Sequence, residues 1–505
     1  MITIKQSPDQ IMPVYNDIVW TVDSTNKALC SFQYVCDVYV NSIFIKRMKL
    51  FPYGSLGYAS FKIDGVLKDL LSYDLQENLY GASIFARNYA TILDYQLKFG
   101  EEYDVSAQCD AGTTVFPNLT NSSTQQAFNG ALQYEEWLTW ASSNYTMTSV
   151  SKKFLTKMPQ NVMILTKDQM VVNFINSATV AKLEVKTYSA GNVLFGTYRY
   201  NNGITLTDAT ERILSVGVGP ENLNNSTLAS GVQPVIHSTV HHYTYQLVNS
   251  SNVAVSELRR VDIDMRDTKF PTHRFWFLNR LGGFDSYTYT LMDRRRVDTN
   301  ITEYNKLYGA YQVASPINLW TYQIGNRGRT VLTMNAQEVD VYNSNWMTEA
   351  ESLWMEELHT SPEVYISKEN NKLCFASAYF IPDGGIGVGD IIKIGFPLGS
   401  PYAGLQVGDI VQLNIEDDDM FEINGPNEIV AVASDSFSIV SPIPDPPVEG
   451  AYPVKGYALP YGFVSALDPV VLRTRSYEEK KKYRIKNINY TLEVDKAYAI
   501  NVQKN

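Results

Sequence analysis

Histidine and cysteine, the side chains that most often do chemistry near neutral pH or hold a soft metal, are scarce: this chain of 505 residues has five and four of them. No C-x-x-C pair occurs among Cys30, Cys36, Cys109 and Cys374, which argues against a zinc ribbon or a thioredoxin-like centre. There is no G-x-S-x-G, no H-E-x-x-H, no Walker A and no dinucleotide fingerprint. The glycines at 384, 385, 387 and 389 follow Pro382 and precede a strand pattern, whereas a phosphate loop should precede a helix, so they read as a hinge. No apolar run reaches the roughly 18 residues of a membrane-spanning helix. The opening Met-Ile-Thr-Ile-Lys-Gln-Ser-Pro lacks a charged segment followed by an apolar one, which predicts synthesis in a cytoplasm and makes the sequons at Asn118 and Asn300 chance matches. Positive charge is also in deficit: 42 Lys and Arg against 53 Asp and Glu give a net charge of -11. That disfavours non-specific binding to nucleic acid and repels an anionic membrane surface.

What the chain does have is apolar and aromatic material. It is 45% hydrophobic and only 19% charged, with 34 tyrosines, enough to bury large cores. The pattern of that material has period two. In Ser31–Asn41, Phe32, Tyr34, Cys36, Val38 and Val40 face one way; Leu93, Tyr95, Leu97 and Phe99 alternate with Asp94, Gln96 and Lys98. Such alternation predicts half-buried strands with one core face. Cys30 and Cys36 fall on the same face and are expected as buried, reduced thiols. Six extended residues span about 20 Å, so these two cannot bridge within a straight strand. Leu183 and Val185, the stretch Thr239–Asn249 and the stretch Arg260–Met265 alternate likewise. Asn201-Asn202-Gly203 predicts a hairpin between Gly196–Tyr200 and Ile204–Leu206. Residues 275–290 predict another, with an aromatic strand running into Gly282-Gly283 and out through Phe284, Tyr287 and Tyr289.

The expected fold class is therefore all-β: consecutive β-sandwich domains, one packed helix near 348–359 and a small inserted β-barrel-like domain. Residues 1–150 are expected as an N-terminal sandwich, with a short helical interruption at Val66–Tyr73 and a long excursion over 105–150 that includes an Asn/Ser/Thr-rich loop from Gly112 to Gln126. Residues 151–290 form a second sandwich, and 291–380 with 457–505 a third β-rich unit. In the helix, Ala350, Leu353, Trp354 and Leu358 recur at helical spacing, Thr348 with Glu351 makes a capping box, and Pro362 follows the end. Residues 381–456 read as the insertion, with short strands at Asp390–Gly395, Gly408–Ile415, Asn427–Ala433 and Ser436–Val440, closed by the proline-rich 442–447.

Few constellations could carry chemistry, and no catalytic, cofactor-binding or metal-ligating residue is nominated. The histidines are His237, His241, His242, His273 and His359. His241 and His242 should point to opposite faces, His241 beside Tyr243, Tyr245 and Leu247. His237 and His241 could share a metal, but no carboxylate completes the set locally, and packing is the preferred reading. Glu416-Asp417-Asp418-Asp419 offers carboxylates that suit Ca²⁺ without the alternating pattern of an EF-hand, and reads as a solvated turn. Glu135-Glu136-Trp137 sets a carboxylate beside a sugar-stacking aromatic, but a glycosidase needs two carboxylates about 5–10 Å apart. Arg294-Arg295-Arg296, beside Asp293 and Asp298, reads as a charge-paired surface or an intersubunit contact.

Several phrases together resemble tail-associated virion proteins of Bacteroidetes-infecting bacteriophages, including crAss-like phages. They are Ser7-Pro8 through Trp20 with Phe32–Asn41, Phe128-Asn129-Gly130-Ala131, Phe154-Leu155-Thr156 followed by Pro159, Phe277–Phe284, and Trp354 through Ser361-Pro362. The likeness spreads over most of residues 1–365 and does not cover 381–456. It implies a β-rich structural protein, not an enzyme and without cofactors, located in the virion tail. It further implies a homo-oligomer that contacts other virion tail proteins in a tail, collar or tail-tip assembly. Two alternatives come from other classes: a receptor-binding module that stacks host surface glycan on Trp137, Trp140 and Tyr145, and a polysaccharide depolymerase.

Overall fold

The computed structural model describes residues 2–76, 79, 81, 83–104, 114–115, 120–265, 269–307, 309–314, 317–322, 328–344 and 347–367, and beyond these the segments 373–375, 377–381, 391–395, 410–415, 425–432, 436–440, 451–452, 456–460, 467–473 and 491–496. The fold is mainly β, built from antiparallel sheets with few and short helices.

The first sandwich follows directly from period two. One sheet contains Ile2–Gln6, Val19–Ser24 and Ala59–Lys62; the facing sheet runs Ile11–Pro13, Gln125–Phe128, Ile92–Asp104, Gln33–Val40, Ile43–Leu50. Gln33–Val40 pairs with Ile92–Asp104 from Gln33↔Glu102 to Val40↔Tyr95. This register brings Tyr34, Cys36 and Val38 into one core with Tyr95, Leu97, Phe99, Trp20 and Phe61. Each such side chain contributes about 1.5–3 kcal/mol on burial. The expected helical interruption is present, as a turn of helix at Asp64–Leu67 continued by a 3₁₀ turn to Leu70.

Two expectations fail in this unit. Cys30 is not a reduced thiol on the strand face: it sits in the turn before Gln33 and is disulfide-bonded, while Cys36 is free and buried. The strand begins too late to include residue 30, which frees that cysteine to pair elsewhere. Cys109 lies outside the described residues. The expected loop from 112 to 126 also contains strand. Thr114–Val115 and Thr120–Asn121 pair with Ile92–Asp104, and Gln125–Phe128 is inserted between that strand and Ile11–Pro13. The glutamines that make this stretch look solvated are buried with partners: Tyr95 donates to Gln125 Oε1 at 2.8 Å, and Gln126 Nε2 donates to Asp94 at 2.9 Å.

Beyond the first sandwich, three sheets share one core. The first runs Asn161–Leu165, Arg259–Asp264, His242–Val248, Lys182–Tyr188, Leu194–Asn201. The second has Val171–Ile175, Ile213–Gly217 and Phe85–Arg87. The third runs Phe284–Tyr289, His273–Leu278, Val364–Ser367, Leu467–Leu472, Thr491–Lys496, Arg329–Asn343, Arg294–Asn305. Phe154, Phe174, Tyr245, Phe277, Trp354 and Leu492 belong to a single buried cluster across them. The sheets do not divide where the chain was expected to divide at 150 and at 290. Phe85–Arg87 joins the second group, and the 273–289 hairpin pairs with Val364–Ser367.

That hairpin has the expected form, His273↔Tyr289 to Leu278↔Phe284. It needs glycine at 282 for space as well as conformation. Gly282 has φ +79°, and a Cβ there would lie 2.5 Å from the Asn129 carbonyl oxygen. The Asn201-Asn202-Gly203 hairpin does not form. Leu194–Asn201 instead turns back on Lys182–Tyr188 through residues 189–193, with Asn192 at φ 59°. Asn202 spends its carboxamide locally, donating to Val180 O and accepting from Ile204 N, which holds an open turn.

The helix spans Glu349–Thr360, and its capping box is present: Thr348 Oγ1 accepts from Glu351 N, and the Glu351 carboxylate accepts from Thr348 N. Trp354 and Leu358 are buried as expected, but Ala350 is exposed and Leu353 is 57% exposed. Met355 and Glu357 take the inner positions instead. The ring of Trp354 packs 5.8 Å from Phe277 and 6.1 Å from Tyr287.

The insertion sits at the tip of a hairpin. Val364–Ser367 and Leu467–Leu472 pair antiparallel, so the two ends of the inserted segment are adjacent. Between them the strands run in a ring. Ser377–Ile381 pairs with Ile391–Gly395, which pairs with Ser436–Val440, then Gly425–Val432, then Ile410–Ile415, then Gly456–Pro460. Leu373↔Ala458 and Tyr379↔Ala451 close the ladder, as in a small barrel.

Candidate assembly surface and a buried acidic cluster

The structure separates the histidines rather than gathering them. His242 is buried and stacked on Tyr188, ring centroids 4.9 Å apart, and burial lowers its pKa. His241 is exposed and lies just before the strand's first residue, so it does not join Tyr243, Tyr245 and Leu247 in the core as expected. His237 shares a 2.9 Å hydrogen bond with Thr239, and His273 lies 3.2 Å from Asp293. Among the described residues no group of three or more His, Cys, Asp or Glu could hold a metal ion. Glycines 384–389 and the acidic run 416–419 lie outside the described residues.

The Glu135-Glu136-Trp137 stretch is structural. It forms the short helix Tyr134–Leu138, in which Glu136 accepts from the Gln133 backbone N–H and pairs with Lys157. Trp137 packs half-buried on the cluster of Phe128, Leu132 and Leu155. Trp140 donates to Ile11 O at 2.8 Å, and its ring is stacked on Tyr145 at 4.9 Å and lies 5.5 Å from Phe128. Trp140 and Tyr145 thus use ring faces on each other that sugar stacking would require.

Sequence reasoning missed a buried acidic cluster. Asp285 accepts from Thr156 Oγ1 at 2.7 Å, Trp354 Nε1 at 2.8 Å and Asn279 Nδ2 at 3.0 Å. Burial raises its pKa, and these three donors oppose the rise. Glu357, 2% exposed, faces it from the helix. Burial, with the Asp285 charge second, pushes the Glu357 carboxyl up to about 7, against the pull of Lys157 and Arg280. Lys157 Nζ lies 3.3 Å from Glu357 and also binds Glu136, so one ammonium ties the helix Glu349–Thr360 to the helix Tyr134–Leu138. Asp285 is held by side chains from three separate stretches of chain, which no local pattern announces.

Within the Arg294-Arg295-Arg296 run, Arg295 and Arg296 are charge-paired. Arg295 binds Glu338, and Arg296 binds Glu493 at 3.0 Å and Asp298 at 3.2 Å. These arginines open a strand, Arg294–Asn305, that pairs along its length with Arg329–Asn343. The body of the sheet ends where Val339 pairs with Asp495. Past that point the two strands continue as a projecting ribbon. On the outer strand Arg295, Val297, Thr299, Ile301 and Glu303 share one face. The register sets Glu338, Ala336, Met334 and Val331 across from Val297, Thr299, Ile301 and Glu303. The other face carries Asp298, Asn300, Thr302 and Tyr304 against Gln337, Asn335, Thr333 and Thr330. The ribbon is therefore amphipathic, and its apolar face is open: Val297, Ile301, Val331 and Met334 are 51%, 46%, 38% and 38% exposed.

A second exposed strand lies on the first sandwich. Ile43–Leu50 is an edge strand whose residues are nearly all exposed, Ile43, Phe44 and Ile45 among them, and Phe51 follows it into solvent. No protein-family model matches this chain, and no curated protein matches it.

Proposed function

We propose that this chain is a structural component of a bacteriophage virion, an oligomeric tail, collar or tail-tip protein that acts through subunit assembly. The observation that supports the assembly part is the ribbon: a strand pair with period-two alternation whose apolar side chains Val297, Ile301, Val331 and Met334 are exposed. Alternation of that kind is the mark of a face built to be buried, and a two-stranded ribbon is marginal in water without a surface to pack on. The virion part rests on the resemblance spread over residues 1–365. The glycan-stacking alternative loses support from the internal use of Trp140 and Tyr145.

Light scattering on the purified full chain, with electron microscopy of the host particle, tests the reading. A discrete oligomer in solution, or density for this chain repeated about the tail axis, is the expected result. A monomer at all concentrations that is absent from the particle overturns it.

A further inference from the structure

We propose that Asn202 is a site of spontaneous deamidation, in which the backbone nitrogen of Gly203 attacks the Asn202 carboxamide to form a succinimide, and that the fold leaves this site reactive while it protects Asn129. The proposal is independent of the assembly reading. Asparagine followed by glycine occurs at Asn129-Gly130, Asn202-Gly203 and Asn424-Gly425. A glycine has no Cβ to hinder the approach of its nitrogen to the preceding side chain. Asn424 lies outside the described residues, and the structure treats the other two sites differently.

At Asn202 the parts of the reaction are in place. The residue follows the strand Leu194–Asn201, and Gly203 is exposed in the irregular stretch that leads to the 3₁₀ turn Ala209–Glu211. Among the described residues nothing accepts a hydrogen bond from the Gly203 amide, so no such bond has to break before that nitrogen can turn. A Cβ added at Gly203 would meet nothing within 4 Å, which leaves the room that ring closure needs. Asn202 Oδ1 accepts from Ile204 N at 3.1 Å. This bond folds the side chain back along the main chain at Gly203, as in an Asx turn. It also sets an N–H donor on the oxygen that becomes negative when Cγ is attacked, the arrangement that stabilises an oxyanion.

At Asn129 the same parts are locked. Gly130 is buried, and its N–H donates to Phe128 O at 2.7 Å. A Cβ on Gly130 would lie 2.5 Å from the Phe128 ring and 2.9 Å from Pro13, so this glycine is packed tightly and has no room to rotate its nitrogen. Asn129 Nδ2 donates to Ser72 O at 2.7 Å, which ties the carboxamide to another segment of chain.

The reaction needs only water. The Gly203 nitrogen forms a bond to Asn202 Cγ, the Cγ–Nδ2 bond breaks, and the amide proton leaves with Nδ2 as ammonia. Water then opens the ring at either carbonyl, giving aspartate or isoaspartate. Both products lose the Nδ2 donor that binds Val180 O at 3.2 Å, and aspartate sets a carboxylate against that carbonyl. Isoaspartate also adds a carbon to the main chain where the strand Leu194–Asn201 ends. That strand is an edge of its sheet, so the conversion loosens this edge as the protein ages.

Peptide mapping by mass spectrometry tests this on the full chain warmed in mildly alkaline buffer, with the chain unfolded in denaturant as the reference for both sites. In the unfolded chain Asn129 and Asn202 are expected to convert at similar rates. In the folded chain Asn202 is expected to convert to a mixture of isoaspartate and aspartate, faster than Asn129 by about tenfold or more. Gly203→Ala, which fits the open space, is expected to slow conversion at 202 about tenfold, a barrier higher by roughly 1.4 kcal/mol, and to leave Asn129 unchanged. Equal rates at the two sites in the folded chain overturn the inference. So does an Asn202 that stays intact over the time in which the unfolded chain converts. Aspartate at 202 with no isoaspartate means direct hydrolysis and overturns the succinimide route. Undiminished conversion in Gly203→Ala overturns the reactive geometry assigned to Gly203.

Discussion

The indole N–H of Trp354 donates a 2.8 Å hydrogen bond to the carboxylate of Asp285, and both groups are buried. Sixty-nine residues apart in the chain, they bind the helix Glu349–Thr360 to the strand Phe284–Tyr289 by one polar contact inside an apolar interface. In a buried site such a bond matters most when it is broken, because the carboxylate left behind cannot turn to water. Trp354→Phe keeps most of the ring contacts with Phe277 and Tyr287 and removes the donor. It should cost about 1–3 kcal/mol. Trp354→Ala adds a cavity and should cost about 3–5 kcal/mol. Chemical denaturation of the two variants checks the ordering, and a Trp354→Phe variant as stable as the parent would mean that the hydrogen bond contributes nothing.

Glu357 makes stability fall as pH rises. Its carboxyl is raised to about 7 in the folded protein by burial and by Asp285, above an ordinary value near 4.5. Asp285 is shifted in the same direction. A raised folded pKa means that the folded state holds the proton more tightly than the unfolded one. The stabilisation is therefore complete below about pH 4.5 and is lost progressively as pH rises through about 7. The groups around Glu357 are Asp285, Lys157 and Arg280, with Glu136 held by the same Lys157. Glu357→Gln should flatten this dependence and raise stability at pH 8 by roughly 3 kcal/mol. Melting temperatures from pH 5 to pH 8 decide it: an unchanged slope in the Gln variant would rule Glu357 out as its source.

Gly282 sets the turn of its hairpin against the Phe128–Asn129 segment. Its φ of +79° suits glycine, and its Cα faces the Asn129 carbonyl so closely that a Cβ would sit 2.5 Å from that oxygen. Gly282→Ala should destabilise the protein by about 1–3 kcal/mol from backbone strain, and by more if the 129–131 segment cannot move. Gly203 has nothing within reach of an added Cβ. Gly203→Ala should therefore lie within about 0.5 kcal/mol of the parent. Comparable losses at the two sites would contradict the steric account.

The elements legible in the sequence were those specified by local pattern. Phe32 to Val40 and Leu93 to Phe99 announce their buried faces by alternation, and Thr348 with Glu351 announces the start of the helix, because both signals are short-range. The strands of the insertion were placed within one or two residues for the same reason. Where reading failed, a distant partner had changed the meaning of a residue. Gln125 and Gln126 look solvated until Tyr95 and Asp94 satisfy them. Asn202 looks like a hairpin turn until it bonds Val180 and Ile204. Cys30 shares the parity of Cys36 but lies ahead of the strand.

By itself, then, the sequence determined the class: a charge-poor, aromatic chain with period two buries its faces in layered sheets. It could not determine which sheets share a core, that Asp285 and Glu357 are both buried there and feel each other's charge, or that Val297, Ile301, Val331 and Met334 stay exposed. Those are long-range facts. Alternation states that a strand has a face to bury, but only the tertiary arrangement decides whether the burying surface lies in the same molecule.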